Sequence, residues 1–168
     1  LVNSFALGKG RQVYLSQYIG DLKNLETFEF YRTSFERFSE MFRFTPRVLT
    51  HDLHPDYLST RFTLEIAEKQ GGLPLVPVQR HHAHIASVMA EQGLSGEVIG
   101  FVFDGLGMGD DGQLWGGEAM VASFAAYTRM YHFEYLPLPG GDSANREPWR
   151  MAVAYLYRTY GEGFRDLP

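Results

Sequence analysis

The chain contains no cysteine, which excludes disulfide staples, thiolate metal sites and a cysteine nucleophile of its own. No apolar run reaches the roughly 18 residues that a membrane-crossing helix needs, so no membrane partner is expected. There is no block of Lys and Arg either. Lys plus Arg number 15 against 20 Asp plus Glu, a net charge of -5, which argues against general binding to nucleic acid or to a membrane surface. The amino end, Leu1-Val2-Asn3-Ser4, lacks the charged start and long apolar stretch of a secretion signal. It also lacks an initiator Met. A cytoplasmic chain that is a piece of something larger, or a processed product, is the expectation.

What the sequence does have is apolar and aromatic mass, 45% and 15% of its 168 residues, enough to bury a core and to exclude general disorder. Segments 2–8 and 12–19 read as strands about a turn at Gly8-Lys9-Gly10, with Val13 and Leu15 facing opposite Tyr14. Leu25, Phe28, Phe35, Phe38, Met41 and Phe42 then recur at helical spacing behind a cap at Asn24, a stripe for packing on a sheet, with Pro46 as the stop. Val48-Leu49-Thr50 is a short strand. A helix over 55–70 takes Pro55 in its first turn and ends at Gly71-Gly72. A strand at 73–78, a helix at 81–92 closed by Gly93, and a strand at 98–103 follow. The last is apolar on both faces, as in a strand buried on each side. This alternation predicts an α/β architecture with parallel strands. After Asp104, strands at 113–115, 118–124 and 128–136 read as antiparallel, and a helix covers 147–160 with Pro148 in its first turn. Leu94-Ser95-Gly96 suggests two partial lobes, an α/β lobe over 1–95 and the start of a second over 96–168.

Four segments could carry chemistry. His81-His82-Ala83-His84 opens a helix, where His81 and His84, three apart, share a face and offer imidazole nitrogens of the kind that bind zinc or iron. Asp104 closes an apolar strand ahead of Gly105, Gly107 and Gly109. A carboxylate in that position commonly faces a ligand, and glycines let backbone N–H groups approach phosphates. The segment fits neither a dinucleotide fingerprint, a P-loop nor a calcium loop, because the following helix, the Gly-Lys-Ser/Thr and the oxygen ligands are all missing. His51-Asp52-Leu53-His54-Pro55-Asp56 joins a strand to a helix that Asp52 or His54 could cap. Gly140-Gly141-Asp142 leads through Arg146 and Arg150 into a helix start suited to an anion.

Taken in order, Ser16-Gln17-Tyr18-Ile19-Gly20-Asp21-Leu22, the His51–Tyr57 segment, Val78-Gln79-Arg80-His81-His82-Ala83-His84, Phe103-Asp104-Gly105, Leu114-Trp115-Gly116-Gly117-Glu118 and Pro139-Gly140-Gly141-Asp142 with Arg146-Glu147-Pro148-Trp149 form a set. It resembles the carboxy-terminal transferase domain of the HypF family, carbamoyltransferases of hydrogenase maturation. The resemblance implies part of a sugar-kinase/actin-like ATPase fold of the ribonuclease-H-like type, shared with the tRNA threonylcarbamoyl transferases. It implies ATP-derived carbamoyl adenylate as substrate, made by an upstream domain of the same polypeptide. The carbamoyl group would pass to the terminal Cys of HypE, toward the cyanide ligands of nickel–iron hydrogenases. The implied site is Asp104 as catalytic residue, with Gly105, Gly107, Gly109, Gly140, Gly141 and Asp142 around the nucleotide and substrate. A divalent metal, zinc or iron, is implied on His84.

The family pattern has His where Arg80 stands, so His81 becomes the second ligand here, and a further Asp ligand lies beyond residue 168. The pattern often has Thr where Leu106 stands. Arg80 also adds a positive charge that favours an anion over a divalent cation. On the residues alone, two other functions fit: a metal-dependent hydrolase built on the histidines and Asp104, and a non-catalytic interaction module.

Overall fold

A computed structural model describes residues 3–141 and 143–166. The chain divides into two compact units, Leu1–Arg80 and His81–Pro168. The division falls after Arg80.

In the first unit, strands β1 (Ala6–Lys9) and β2 (Gln12–Leu15) form an antiparallel hairpin, shorter than the pattern predicts. Tyr14 is on its packed face and stacks on Phe42, while Val13 and Leu15 are exposed. Helix α1 (Leu25–Met41) starts where Asn24 Oδ1 accepts the N–H groups of Glu26 and Thr27. Its stripe of Phe28, Tyr31, Phe35 and Phe38 meets Phe5, Leu7, Phe62 and Ile66, in edge-to-face pairs 5.3–6.2 Å apart. Leu25 and Met41, at the helix ends, remain exposed. Arg43 in the left-handed conformation (φ 47°) stops the helix, and Phe44 N–H bonds back to Ser39 O, so Pro46 is not the terminator.

Strand β3 (Leu49–Asp52), helix α2 (Leu58–Lys69) and strand β4 (Leu75–Val78) make a β-α-β unit with the two strands parallel. Pro55 lies in the turn ahead of α2 rather than in its first turn. The capping expectation for this helix also fails. Asp52 Oδ1 takes the His54 N–H and His54 Nδ1 takes the Asp56 N–H, while Tyr57 enters the helix with no side-chain cap.

The second unit begins with most of helix α3 (Arg80–Glu91), followed by strands β5 (Val98–Met108), β6 (Leu114–Ala122) and β7 (Tyr127–His132) in one antiparallel sheet, in that order. Ile85 and Met89 of α3 pack with Val102, Trp115, Met120 and Ala122. Helix and sheet approach closely at Gly100, where a Cβ would stand 2.4 Å from Ile85 Cδ1. Two expectations for β5 are corrected. It is antiparallel to its neighbour, and only one face is buried: Ile99, Phe101 and Phe103 on the other are 72, 70 and 68% exposed. The two short strands expected between 113 and 124 are one, β6. Helices α4 (Ser143–Arg146) and α5 (Trp149–Tyr160) and a closing 3-10 turn (Gly161–Asp166) complete the unit. Among the described residues no helix is long and apolar enough to cross a membrane.

Candidate functional site

His81, Ile85 and Met89 are four residues apart and share the buried stripe of α3, which leaves the His81 side chain fully enclosed. His84 lies at the margin of that stripe and its ring is 55% exposed. On β5, Val102 points into the core, and Asp104 follows two residues later on the same face. Helix and strand therefore aim three polar side chains at one point. His81 Nε2 lies 3.0 Å from Asp104 Oδ1. A carboxylate oxygen accepts, so the ring carries its proton on Nε2. His84 Nε2 stands 3.9 Å from Asp104 Oδ2, a buried oxygen with no hydrogen-bond partner among the described residues. His82 does not join them: its Nε2–H donates to Ser123 O at 2.7 Å.

Asp104 sits where the β5–β6 ladder breaks. Phe103 pairs with Gly117 and Gly107 with Trp115, so Asp104, Gly105 and Leu106 lie opposite Gly116 alone. This bulge re-aims the strand at the site. A Cβ on Gly116 would stand 3.3 Å from Asp104 O, tighter than an ordinary contact. The carboxamide of Asn145, from α4, lies against Gly105, so the segment after Gly140-Gly141 reaches the Asp104 strand. Gly140 and Gly141 turn with φ of 82° and 55°. Asp142 lies outside the described residues. Gly109 has a packing reason: its Cβ would stand 2.0 Å from Trp115 Nε1.

The residues fit a divalent cation in part. An imidazole nitrogen and a carboxylate oxygen are suitable donors for zinc or iron. His84 Nε2 and Asp104 Oδ2 are the pair that could hold one, while His81 secures the carboxylate from its other oxygen. No group of three or more His, Cys, Asp or Glu is gathered for a metal among the described residues.

A second polar cluster escapes sequence reasoning. Glu118, with a side chain only 2% exposed, accepts from Arg129 Nε at 2.6 Å. Arg129 also reaches Asp111 Oδ2 (3.1 Å) and Tyr135 OH (2.8 Å), and lies 4.0 Å over the Trp115 ring. Burial acts to lower the Arg129 pKa, but the bonds to Glu118 and Tyr135 outweigh it and the net shift is upward. For Asp111 burial acts upward, and bonds from Tyr135, the Gln113 N–H and Trp115, with the Arg129 charge, carry the net shift downward. Burial and the neighbouring Asp110 raise the Tyr127 hydroxyl, which donates to that carboxylate. A buried acid in the middle of a strand demands a cation, and that is the one signal at Glu118.

The chain thus holds a β-α-β unit, an antiparallel sheet, and a helix-borne histidine pair facing an aspartate at a bulge within β5. Two family models match: the HypF Kae1-like domain over residues 1–91, and the second subdomain of the carbamoyltransferase Kae1-like domain over 100–167. The chain belongs to the HypF family. It is 47% identical over 155 residues to carbamoyltransferase HypF2 of Cupriavidus necator, covering 92% of this chain and 19% of that one. The structure of T. kodakarensis HypF superposes with a TM-score of 0.86 at 41% identity, over 95% of this chain and 21% of that one. A full-length HypF in its phosphate- and nucleotide-bound form gives 0.83 at 41% identity, over 93% and 20%. The chain thus spans about a fifth of the length of these relatives.

Proposed function

We propose that this chain is the acceptor-side portion of a carbamoyltransferase, where a carbamoyl group leaves carbamoyl adenylate for a thiolate supplied by a partner. The observation that carries the reading is the convergence of His81 and His84 on Asp104 at the β5 bulge. Kinship with proteins named carbamoyltransferase supports it, as does the likeness to a HypF structure with phosphate and nucleotide bound. We read the whole as a portion of an actin-like, ribonuclease-H-like ATPase fold.

Carbamoyl adenylate is a mixed anhydride, and negative charge builds on AMP as the C–O bond to phosphate breaks. Gly105 and Gly107, at and after the bulge, and Gly140 and Gly141 would let the backbone approach the nucleotide, and Asp142 is proposed as a further contact to it. Asp104, fixed by His81, orients the reacting group. A zinc or iron ion, when bound, supplies Lewis-acid stabilisation of the developing charge, and His84 and Asp104 would hold it. The accepting thiolate is foreign to this chain, which has no cysteine. The terminal Cys of HypE is the acceptor this reading names, and cyanide-ligand synthesis for nickel–iron hydrogenases is the pathway.

The test is Asp104→Ala in the full-length polypeptide. Carbamoyl transfer to the thiol should be lost while formation of carbamoyl adenylate continues, because that step belongs to another domain. Unchanged transfer would sink the proposal.

A further inference from the structure

We infer that Glu118 and Arg129 are positioning residues for Asp104, an inference that rests on the role proposed for that carboxylate. The link runs through the backbone of β6. Glu118 Oε1 accepts the N–H groups of Gly116 (3.1 Å) and Gly117 (3.3 Å). These are the residues at the ladder break, with Gly116 alone opposite Asp104, Gly105 and Leu106. The Gly117 carbonyl accepts the Phe133 N–H and so faces the β7 side, whereas Gly116 stands at the break. By holding the Gly116 N–H, the carboxylate fixes the conformation of β6 opposite the bulge.

The same carboxylate is anchored from its other side. Its other oxygen, Oε2, takes Arg129 Nε at 2.6 Å, and the two side chains are 2 and 16% exposed. Removing Arg129 takes from the enclosed Glu118 carboxylate the cation it pairs with, a strongly unfavourable change. The Arg129 fork is itself seated on Trp115, Asp111 and Tyr135. Asp111 also accepts the Trp115 Nε1–H at 2.8 Å and the Gln113 N–H at 3.0 Å. One cation from β7 thus fixes the conformation of β6 at the point where β5 turns Asp104 toward His81. Without it, the bulge loses its internal acceptor and Asp104 loses its aim.

Heteronuclear NMR of the imidazole nitrogens tests this directly, with the His81 signal assigned through His81→Gln. In Glu118→Gln and Arg129→Gln the His81 resonance should move, because its bond to Asp104 is disturbed. Arg129→Lys keeps the charge and should return the signal toward wild type. Asp111→Asn unseats the turn but leaves the Glu118–Arg129 pair, and should leave His81 unmoved. A His81 signal unchanged in folded Arg129→Gln overturns the inference. Should both glutamine variants fail to fold, amide exchange in the wild-type chain decides: Gly116 and Gly117 should exchange slowly, and fast exchange at both overturns it. In the full-length polypeptide, Arg129→Gln should reduce kcat roughly ten- to a hundredfold, the usual scale for a residue behind a catalytic group, with KM for carbamoyl adenylate little changed. A moved His81 signal with undiminished transfer would uphold the positioning role and refute the reaction assigned to Asp104.

Discussion

Arg80 Nε donates to Asp52 Oδ2 across 3.0 Å, and its guanidinium lies 5.2 Å from the centre of the Tyr57 ring. The ring's neighbour is His54, stacked at 4.3 Å and nearly parallel. The positive charge at the head of α3 is thereby set against a carboxylate and an aromatic face. Asp52→Ala should cost about 1–3 kcal/mol, because it removes the carboxylate that accepts from Arg80 Nε and from the His54 N–H. Asp56→Ala is the control. It breaks an exposed pair with Arg61 and should change stability by less than about 1 kcal/mol. Urea denaturation followed by circular dichroism reads both.

Zinc titrated into the chain should bind weakly. Among the described residues, His84 Nε2 and the unbonded Asp104 Oδ2 are the two donors gathered at the site, and a closed zinc centre usually takes four protein ligands. Binding should vanish in His84→Ala and in Asp104→Asn but persist in His82→Ala, whose ring is spent on Ser123 O. Calorimetry giving a tight stoichiometric complex would show that more donors take part than this pair.

Met89 is 1% exposed beneath β5, whereas its neighbour Val88 is 54% exposed. Met89→Ala should therefore destabilise the second unit by about 2–5 kcal/mol, the usual range for a buried methionine emptied to alanine. Val88→Ala should stay within about 0.5 kcal/mol. Thermal melts of the two variants side by side would expose an error in the packing of α3.

Asp111 has a lowered pKa in the folded chain, so its contribution to stability has a definite sign with pH. The folded state favours the carboxylate, and the stabilisation is fully present above the ordinary Asp value, about 3.9. It is lost as pH falls below that value and through the lowered one. Asp111→Asn should flatten the acid side of the stability profile while leaving the neutral-to-basic side parallel to wild type. Equal slopes in acid would show that Asp111 does not carry the effect.

Much of the fold is written in local pattern. Asn24 and the aromatic spacing specify α1, and the spacing of apolar segments between 47 and 78 specifies the β-α-β unit. Asp104 and the His81/His84 pair stand out in the sequence because a carboxylate after an apolar run and a three-residue helical spacing are both local facts. The expected strand end at Asp104 is wrong: β5 continues through a bulge to Met108. Two other things were not legible. The run Val98–Phe103 reads as a strand covered on both sides, because hydropathy reports a residue's preference and not what lies against it. The Glu118–Arg129 pair depends on the register between β6 and β7, which is itself irregular between Ala119 and Met120. No pattern in one strand specifies an irregularity shared by two.

The exposed face of β5 has a consequence for the colloidal behaviour of the chain. Ile99, Phe101 and Phe103 would each release about 1.5–3 kcal/mol on leaving water, and a net charge of -5 supplies the long-range repulsion between molecules. Salt shortens the reach of that repulsion to about 8 Å at physiological ionic strength, and it leaves the apolar attraction in place. Light scattering from the chain should therefore increase with sodium chloride concentration. Phe101→Lys, which puts a charge at the middle of the face, should suppress that increase more than Phe124→Lys, a change at an exposed aromatic beyond the end of β6.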